Sequence, residues 1–122
     1  MDEMIDAINE AIDEYGKDVI IIDKTPKMVD GVVQKDNNRH IIYDETEIST
    51  KARLTKKTDY EKNGLNDQYV KIVTEVASFK KEDAQYLKSG NELKYTDSIG
   101  NTHSFEMKAI DELLTHFVVI LD

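Results

Sequence analysis

The stretch Tyr69-Val70-Lys71-Ile72-Val73-Thr74-Glu75-Val76 decides the fold. It is crowded with β-branched residues, and Val70, Ile72, Thr74 and Val76 alternate with their neighbours, which is the pattern of a strand. Everything downstream extends it into a β-rich unit that ends at Asp122. In residues 78–90, Phe79, Asp83 or Ala84, and Leu87 fall at helical spacing and Gly90 supplies a stop, predicting one or two turns of helix. Residues 91–96 and 102–110 are short strand-like runs on either side of Asp97-Ser98-Ile99-Gly100-Asn101, whose Gly and Asn suit a tight turn, so the pair reads as a hairpin. The closing Leu113-Leu114-Thr115-His116-Phe117-Val118-Val119-Ile120-Leu121 is too short for a membrane span and too β-branched for a helix, and it is expected to be the buried last strand.

Upstream, Met1, Met4, Ile5, Ile8, Ala11 or Ile12, and Tyr15 recur at three- and four-residue steps, with Asp2, Glu3, Asp6, Glu10, Asp13 and Glu14 on the other faces. This predicts an amphipathic helix over residues 1–16, stopped by Gly16 as a left-handed cap. Asp13 and Glu14 oppose the helix dipole at its C-terminal end. The stripe of Ile5, Ile8, Ile12 and Tyr15 packs either on its own domain or on a partner subunit. Residues 18–23 form a continuous apolar strand ended by Thr25 and Pro26. The turn pair Asp30-Gly31, framed by Met28, Val29, Val32 and Val33, predicts an irregular hairpin or long excursion over residues 25–40; Met28, Val32 and Val33 are further candidates for docking a partner. Strand character returns at residues 40–43 and 47–54. Residues 56–68 then read as a polar loop, with Lys56, Lys57, Asp59, Tyr60, Glu61, Lys62, Asn63, Gly64, Leu65, Asn66 and Asp67 offering little to bury.

The expected architecture is therefore mainly β with an N-terminal α-helix (α+β): one domain over residues 1–122, a small β-barrel or sandwich with long loops and one short internal helix. At 122 residues the chain fits one domain with its own core. It contains no cysteine, which excludes disulfides and thiolate metal sites. No basic, apolar leader opens it, so a soluble protein made in the cytoplasm is expected, with no membrane partner. Its formal net charge of −9 argues against a protein that wraps nucleic acid, since lysines and arginines supply that affinity.

Site chemistry is sparse. Asp59, Glu61, Asn63 and Gly64 resemble the start of a calcium loop, but Val70 stands where the bidentate glutamate belongs and strands flank it. His40, His103 and His116 have no short spacing; His103 and His116 lie in strands that could be neighbours. Ser89 and Ser98 sit in turns, not in a nucleophile elbow. Asp44, Glu45 and Glu47 read as a solvated turn, and no glycine loop suits a phosphate. No catalytic residue, metal or cofactor is expected, and the protein is not expected to be an enzyme.

The order of elements resembles the head-completion or stopper proteins in the necks of tailed bacteriophages. The resemblance rests on the N-terminal helix, the strand ending in Val76-Ala77-Ser78-Phe79, and the helical turn through Asp83, Ala84 and Leu87. It continues through Leu87-Lys88-Ser89-Gly90-Asn91-Glu92-Leu93, the hairpin closing on Gly100 with Phe105 and Met107 in its return, and the final His116–Leu121 run. Where many such proteins carry an aspartate after the glycine, this chain has Asn91. The resemblance implies a homo-oligomeric ring of six or twelve copies at the head-tail interface of the virion, docked below the portal and its adaptor and offering a surface to the tail terminator or tail tube. One loop per subunit, here residues 56–68, would close the channel over packaged double-stranded DNA without reading its sequence. Two other functions fit the same features: a tail terminator or other neck protein, and an acidic immunity protein that presents Asp2, Asp6, Glu10 and Asp13 to a basic nuclease.

Overall fold

The computed structural model describes residues 2–62 and 68–122. Its elements are α1 (Asp2–Tyr15), β1 (Lys17–Pro26), β2 (Met28–Val29), β3 (Val32–Val33), β4 (Tyr43–Lys62), β5 (Tyr69–Phe79), a 3-10 helix (Lys81–Tyr86), β6 (Glu92–Thr96), β7 (Thr102–Glu112) and β8 (Phe117–Leu121). The protein is mainly β with one N-terminal helix, as the sequence predicts. Apart from β2 and β3, which pair with each other, the strands pair in the cyclic order β1-β4-β5-β8-β7-β6, every contact antiparallel.

Two strands turn the corners of this cycle by changing partners along their length. The first half of β4 pairs with β1, from Tyr43↔Pro26 to Ala52↔Lys17, and the second half pairs with β5, from Arg53↔Ser78 to Lys62↔Tyr69. β7 does the same, serving β6 up to Glu106 and β8 from Met107 onward, with an irregularity between Met107 and Ala109. Switching sheets in this way lets the inner faces meet around one core. Val19, Ile21, Ala52, Ala77, Phe79, Leu93, Met107 and Val119 fill it, with Leu87 and Leu121 at its margin. The expected alternation of Ile48, Thr50, Ala52 and Leu54 holds, these residues being more buried than their neighbours.

Several expectations are corrected. Residues 56–62 are not loop but the last part of β4, because β5 is eleven residues long and β4 pairs along it from Ser78 out to Tyr69, well past the five residues that β8 covers on its other edge. Asp44 and Glu45 likewise belong to β4, opposite Thr25 and Lys24, whereas residues 40–42 contribute only an isolated bridge between Ile41 and Lys35. The excursion contains a regular hairpin, since Asp30 and Gly31 both adopt positive φ, as a two-residue turn of this twist requires. Residues 81–86 form a 3-10 helix, and it buries Asp83 while Ala84 faces outward. Leu113 and Leu114 are exposed ahead of β8 rather than part of a buried strand.

Gly16 is not a left-handed cap; among the described glycines, positive φ occurs at Gly31, Gly90 and Gly100. It is required instead by crowding. Its N–H donates to the Ile12 carbonyl at 2.8 Å, and a Cβ on it would lie 2.2 Å from that oxygen and 3.1 Å from the Ala52 carbonyl oxygen. The helix thus turns directly into β1 with its last turn pressed on β4. Lysines hold that end: Lys80 Nζ donates to Asp13 Oδ1 at 2.8 Å, and Lys51 Nζ to the Asp13 carbonyl at 3.3 Å. These cations offset the unfavourable placing of acids at a helix C-terminus.

Asn91 is the buried polar tie. Its Nδ2 donates to Asp23 Oδ1 at 2.8 Å and to the Tyr86 carbonyl at 2.9 Å, while its Oδ1 accepts from the Lys24 N–H at 3.0 Å. Its backbone carbonyl accepts from Met107 N–H at 2.7 Å. β1, the 3-10 segment and the corner of β7 are joined through this one residue. An aspartate here could not donate to Asp23, so the amide is dictated by its neighbour.

Two substitutions test these assignments. Gly16→Ala is expected to lose ~1–3 kcal/mol in urea unfolding, because backbone rather than a flexible side chain must yield. Asn91→Asp is expected to cost ~3 kcal/mol at pH 7 by placing two carboxylates together in a buried site. The crowding raises the folded-state pKa of that pair, so the deficit relative to wild type should narrow as pH falls and one of them takes a proton; a deficit equal at pH 4 and pH 7 would refute the account.

Candidate interaction surfaces

β4 and β5 run past the point where β8 stops. Beyond the pair Lys56↔Glu75, residues 57–62 and 69–74 pair only with each other, forming a two-stranded arm ~20 Å long at ~3.3 Å per residue. Directly opposed residues share a face, so one face of the arm carries Tyr60, Lys62, Tyr69, Lys71 and Val73, and the other carries Asp59, Glu61, Val70 and Ile72. Tyr60 and Tyr69 are 65% and 68% exposed, and Val70 and Val73 are about half exposed. Lys56 lies 3.5 Å from Glu75 across the base of the arm, and Lys57 4.0 Å from Asp59. The expected channel residues Lys56, Lys57, Asp59, Tyr60, Glu61 and Lys62 are therefore brought together on a ribbon; Asn63, Gly64, Leu65, Asn66 and Asp67 lie outside the described residues.

The other end of β4 has a counterpart. Residues 23–26 of β1 and 43–46 of β4 continue beyond the part of β1 that β6 covers, and the β2–β3 hairpin follows from them. Main-chain bonds order the excursion: Lys27 N–H to Ile42 O at 2.8 Å, Gln34 N–H to Lys27 O at 2.9 Å and Ile42 N–H to Gln34 O at 3.0 Å. Asp36 Oδ1 accepts from the N–H groups of Asn38 and His40. The docking candidates Met28, Val32 and Val33 are all exposed here, with Val29, Ile41, Ile42 and Tyr43.

On α1, the structure divides the predicted stripe. Ile12 is buried in its own domain, Ile5 and Ile8 are half-buried, and Tyr15 is 67% exposed, with Met4 similarly bare at 59%. The sequence reading had no basis for separating these, because a seven-residue step puts Met4, Ala11 and Tyr15 close to Ile12 but on its flank. For the opposite reason Val70 does not read as a surface residue, because its place in the apolar alternation of residues 70–76 signals burial, while Tyr69 and Val73, on the other parity, carry no surface signal within a β-rich run. Counting partners would have found them, since the eleven-residue run outlasts the five-residue strand beside it.

Among the described residues no group of three or more His, Asp or Glu side chains is placed to hold a metal ion, and no helix is long and apolar enough to cross a membrane. His103 stacks on Tyr95 with centroids 4.9 Å apart, and its Nε2 lies 2.8 Å from Asp97 Oδ2. That bond, aided by the Asn101 and Ile99 N–H groups, holds the Asp97 carboxyl below its ordinary range and fixes the β6–β7 turn. His116 is not its neighbour: it precedes β8, where burial and then Lys81 lower its pKa, and its Nδ1 lies 2.8 Å from Thr115 Oγ1. An open groove of about 450 Å³ under the arm is lined by Lys57, Asp59, Val73, Thr74, Lys108 and Asp122 among others.

Asp83 is the carboxyl that burial pushes up; a hydrogen bond of 2.9 Å from Thr50 Oγ1 works against that shift. A folded-state pKa above the unfolded value means that the native chain binds the proton more tightly. Its contribution to stability is therefore full below the unfolded pKa and is lost as pH rises through the folded one. Asp83→Asn keeps an oxygen for Thr50 and removes the charge. In urea titrations from about pH 3 to pH 7, wild type is expected to fall behind the variant by up to ~1 kcal/mol at the upper end, and a constant difference would count against a buried charge.

No family model matches the chain, and no curated protein matches its sequence.

Proposed function

We propose that this chain is a structural protein of a tailed-bacteriophage neck, a head-completion or stopper subunit that forms a ring below the portal-adaptor complex. The closed sheet is read as the small β-barrel that such a ring repeats around its axis. The observation that carries the proposal is the arm of residues 57–62 and 69–74, a ribbon that extends from a well-packed core and, among the described strands, pairs its two strands only with each other. A two-stranded ribbon with exposed tyrosines is marginal alone in water and gains order in an assembly. In the ring, the end of the arm reaches toward the axis and closes the channel over packaged double-stranded DNA. The net charge of −9 suits a wall that DNA must pass without sticking. The exposed apolar residues of the excursion, at the far end of β4, supply the docking surface for the adaptor or the tail. The role is structural rather than catalytic, and its place is the head-tail interface of the virion.

The test is deletion of the gene from the phage that carries it, followed by electron microscopy of the particles. Tailless heads that have lost their DNA support the proposal. Heads that keep their DNA beside overlong tails indicate a tail terminator, and intact virions, or a gene that belongs to no phage, overturn the neck assignment. Complementation refines it. A chain in which residues 58–73 are replaced by Asn-Gly, closing the ribbon at the pair Lys57↔Thr74, is expected to fold, because the core lies outside the excised part. Expressed in the deletion strain, it should give heads that do not retain DNA; full retention would show that the arm is not the plug.

A further inference from the structure

Among the described residues, α1 and one face of the arm both carry exposed apolar side chains, and they differ in the charges that flank them. α1 bears Asp2, Glu3, Asp6, Glu10, Asp13 and Glu14 with no lysine or arginine. Its apolar edge is Met4, Ala11 and Tyr15, spaced seven and four residues apart on one face, Met4 and Tyr15 exposed and Ala11 half-buried, and Glu3, Glu10 and Glu14 lie beside that edge on the side away from Ile12. On the arm, among the described residues, the face with Tyr60, Tyr69 and Val73 carries Lys56, Lys62 and Lys71 together with Glu75, which lies 3.5 Å from Lys56. Aromatic anchors rimmed by lysines on one surface match an apolar edge rimmed by glutamates on the other. Within one chain the two remain uncovered, Tyr15 and Tyr69 being about two-thirds exposed.

We propose that the arm of one copy docks on α1 of the next, Tyr60, Tyr69 and Val73 covering Met4, Ala11 and Tyr15, with Lys62 and Lys71 facing Glu10 and Glu14. The contact joins two different patches, so it is head-to-tail and propagates; it closes when the rotation per copy divides a full turn. Burial of the tyrosines and Met4 supplies the affinity, and the charge pairs set orientation and rate. The docking deepens the ring reading above and rests on it for its biological setting.

A charge exchange tests it on the full chain. Sedimentation velocity of wild type over a range of concentrations up to about millimolar is expected to show association that weakens with added salt. Lys62→Glu/Lys71→Glu places acid against acid, Glu10→Lys/Glu14→Lys places base against base, and each variant alone should associate at least about tenfold more weakly. Mixed in equal amounts they should regain wild-type association, because the arm of each then opposes the helix of the other with matched charge. Circular dichroism of each variant checks that these exposed substitutions leave the fold unchanged. Association of wild type that neither variant disturbs, or a mixture that stays as weak as its components, overturns the docking and leaves a ring held by other surfaces. A wild type that is monomeric throughout also overturns it, while the neck assignment stands or falls on the virion phenotype.

Discussion

The divided pairing of β4 is the constraint on which the rest of the structure depends. A twenty-residue strand gives its first ten residues to β1 and its last ten to β5, so the two sheets join through covalent chain rather than through packing alone. The change of partner falls between Ala52 and Arg53, beside Gly16, where the end of α1 also presses. Only small residues fit such a crossing. Register is fixed there as well: a slip of one residue along β4 would turn Lys51 and Arg53 inward in place of Ala52 and Leu54, exchanging core for charge. With β4 fixed, the second corner at Met107 follows, and its main chain is held by Asn91.

This division explains why so much apolar surface remains outside. A strand that serves each partner along half its length must project past both, and at ~3.3 Å per residue β4 spans ~65 Å, longer than one small core can cover. The projecting pieces lack a second layer. Their backbone groups are bonded across the ribbon on one edge and open on the other, which is the condition under which strands recruit another chain. Charged side chains on the arm limit indiscriminate pairing, whereas Tyr60, Tyr69, Val70 and Val73 retain a reason for selective contact. The same holds at the opposite end, where Met28, Val32 and Val33 flank a turn that is itself well specified.

Local patterns in the sequence carry most of the central fold. The alternation at 70–76 and 48–54, the Asp-Gly and Gly-Asn turns, and the helical stripe all predict elements that the structure contains. The strand extent of residues 56–62 is not legible in the same terms, because a solvated ribbon has no buried face to impose a period; Thr58 and Tyr60 are its only β-favouring residues. Gly16 was assigned the commonest use of a glycine after a helix, whereas its true reason is a contact with Ala52, 36 positions along the chain. Asp83 and Ala84 were equivalent by spacing, and only Thr50 on another strand distinguishes them. Long-range partners decide such points, and a single chain read locally does not contain them.

Charge distribution gives the exposed surfaces their direction. Over residues 56–75 four lysines stand against four carboxylates, whereas α1 holds six carboxylates and no base. In a chain of net charge −9 the arm is thus a neutral feature on a negative body, with Lys56, Lys62 and Lys71 gathered on one of its faces. Two copies approaching at random repel, and the approach that brings an arm toward a helix is the one least opposed. At physiological salt, fields beyond ~8 Å are screened, so the bias acts only once the surfaces are nearly in contact. It selects orientation among encounters that diffusion supplies, and the tyrosines then determine how long the selected one lasts.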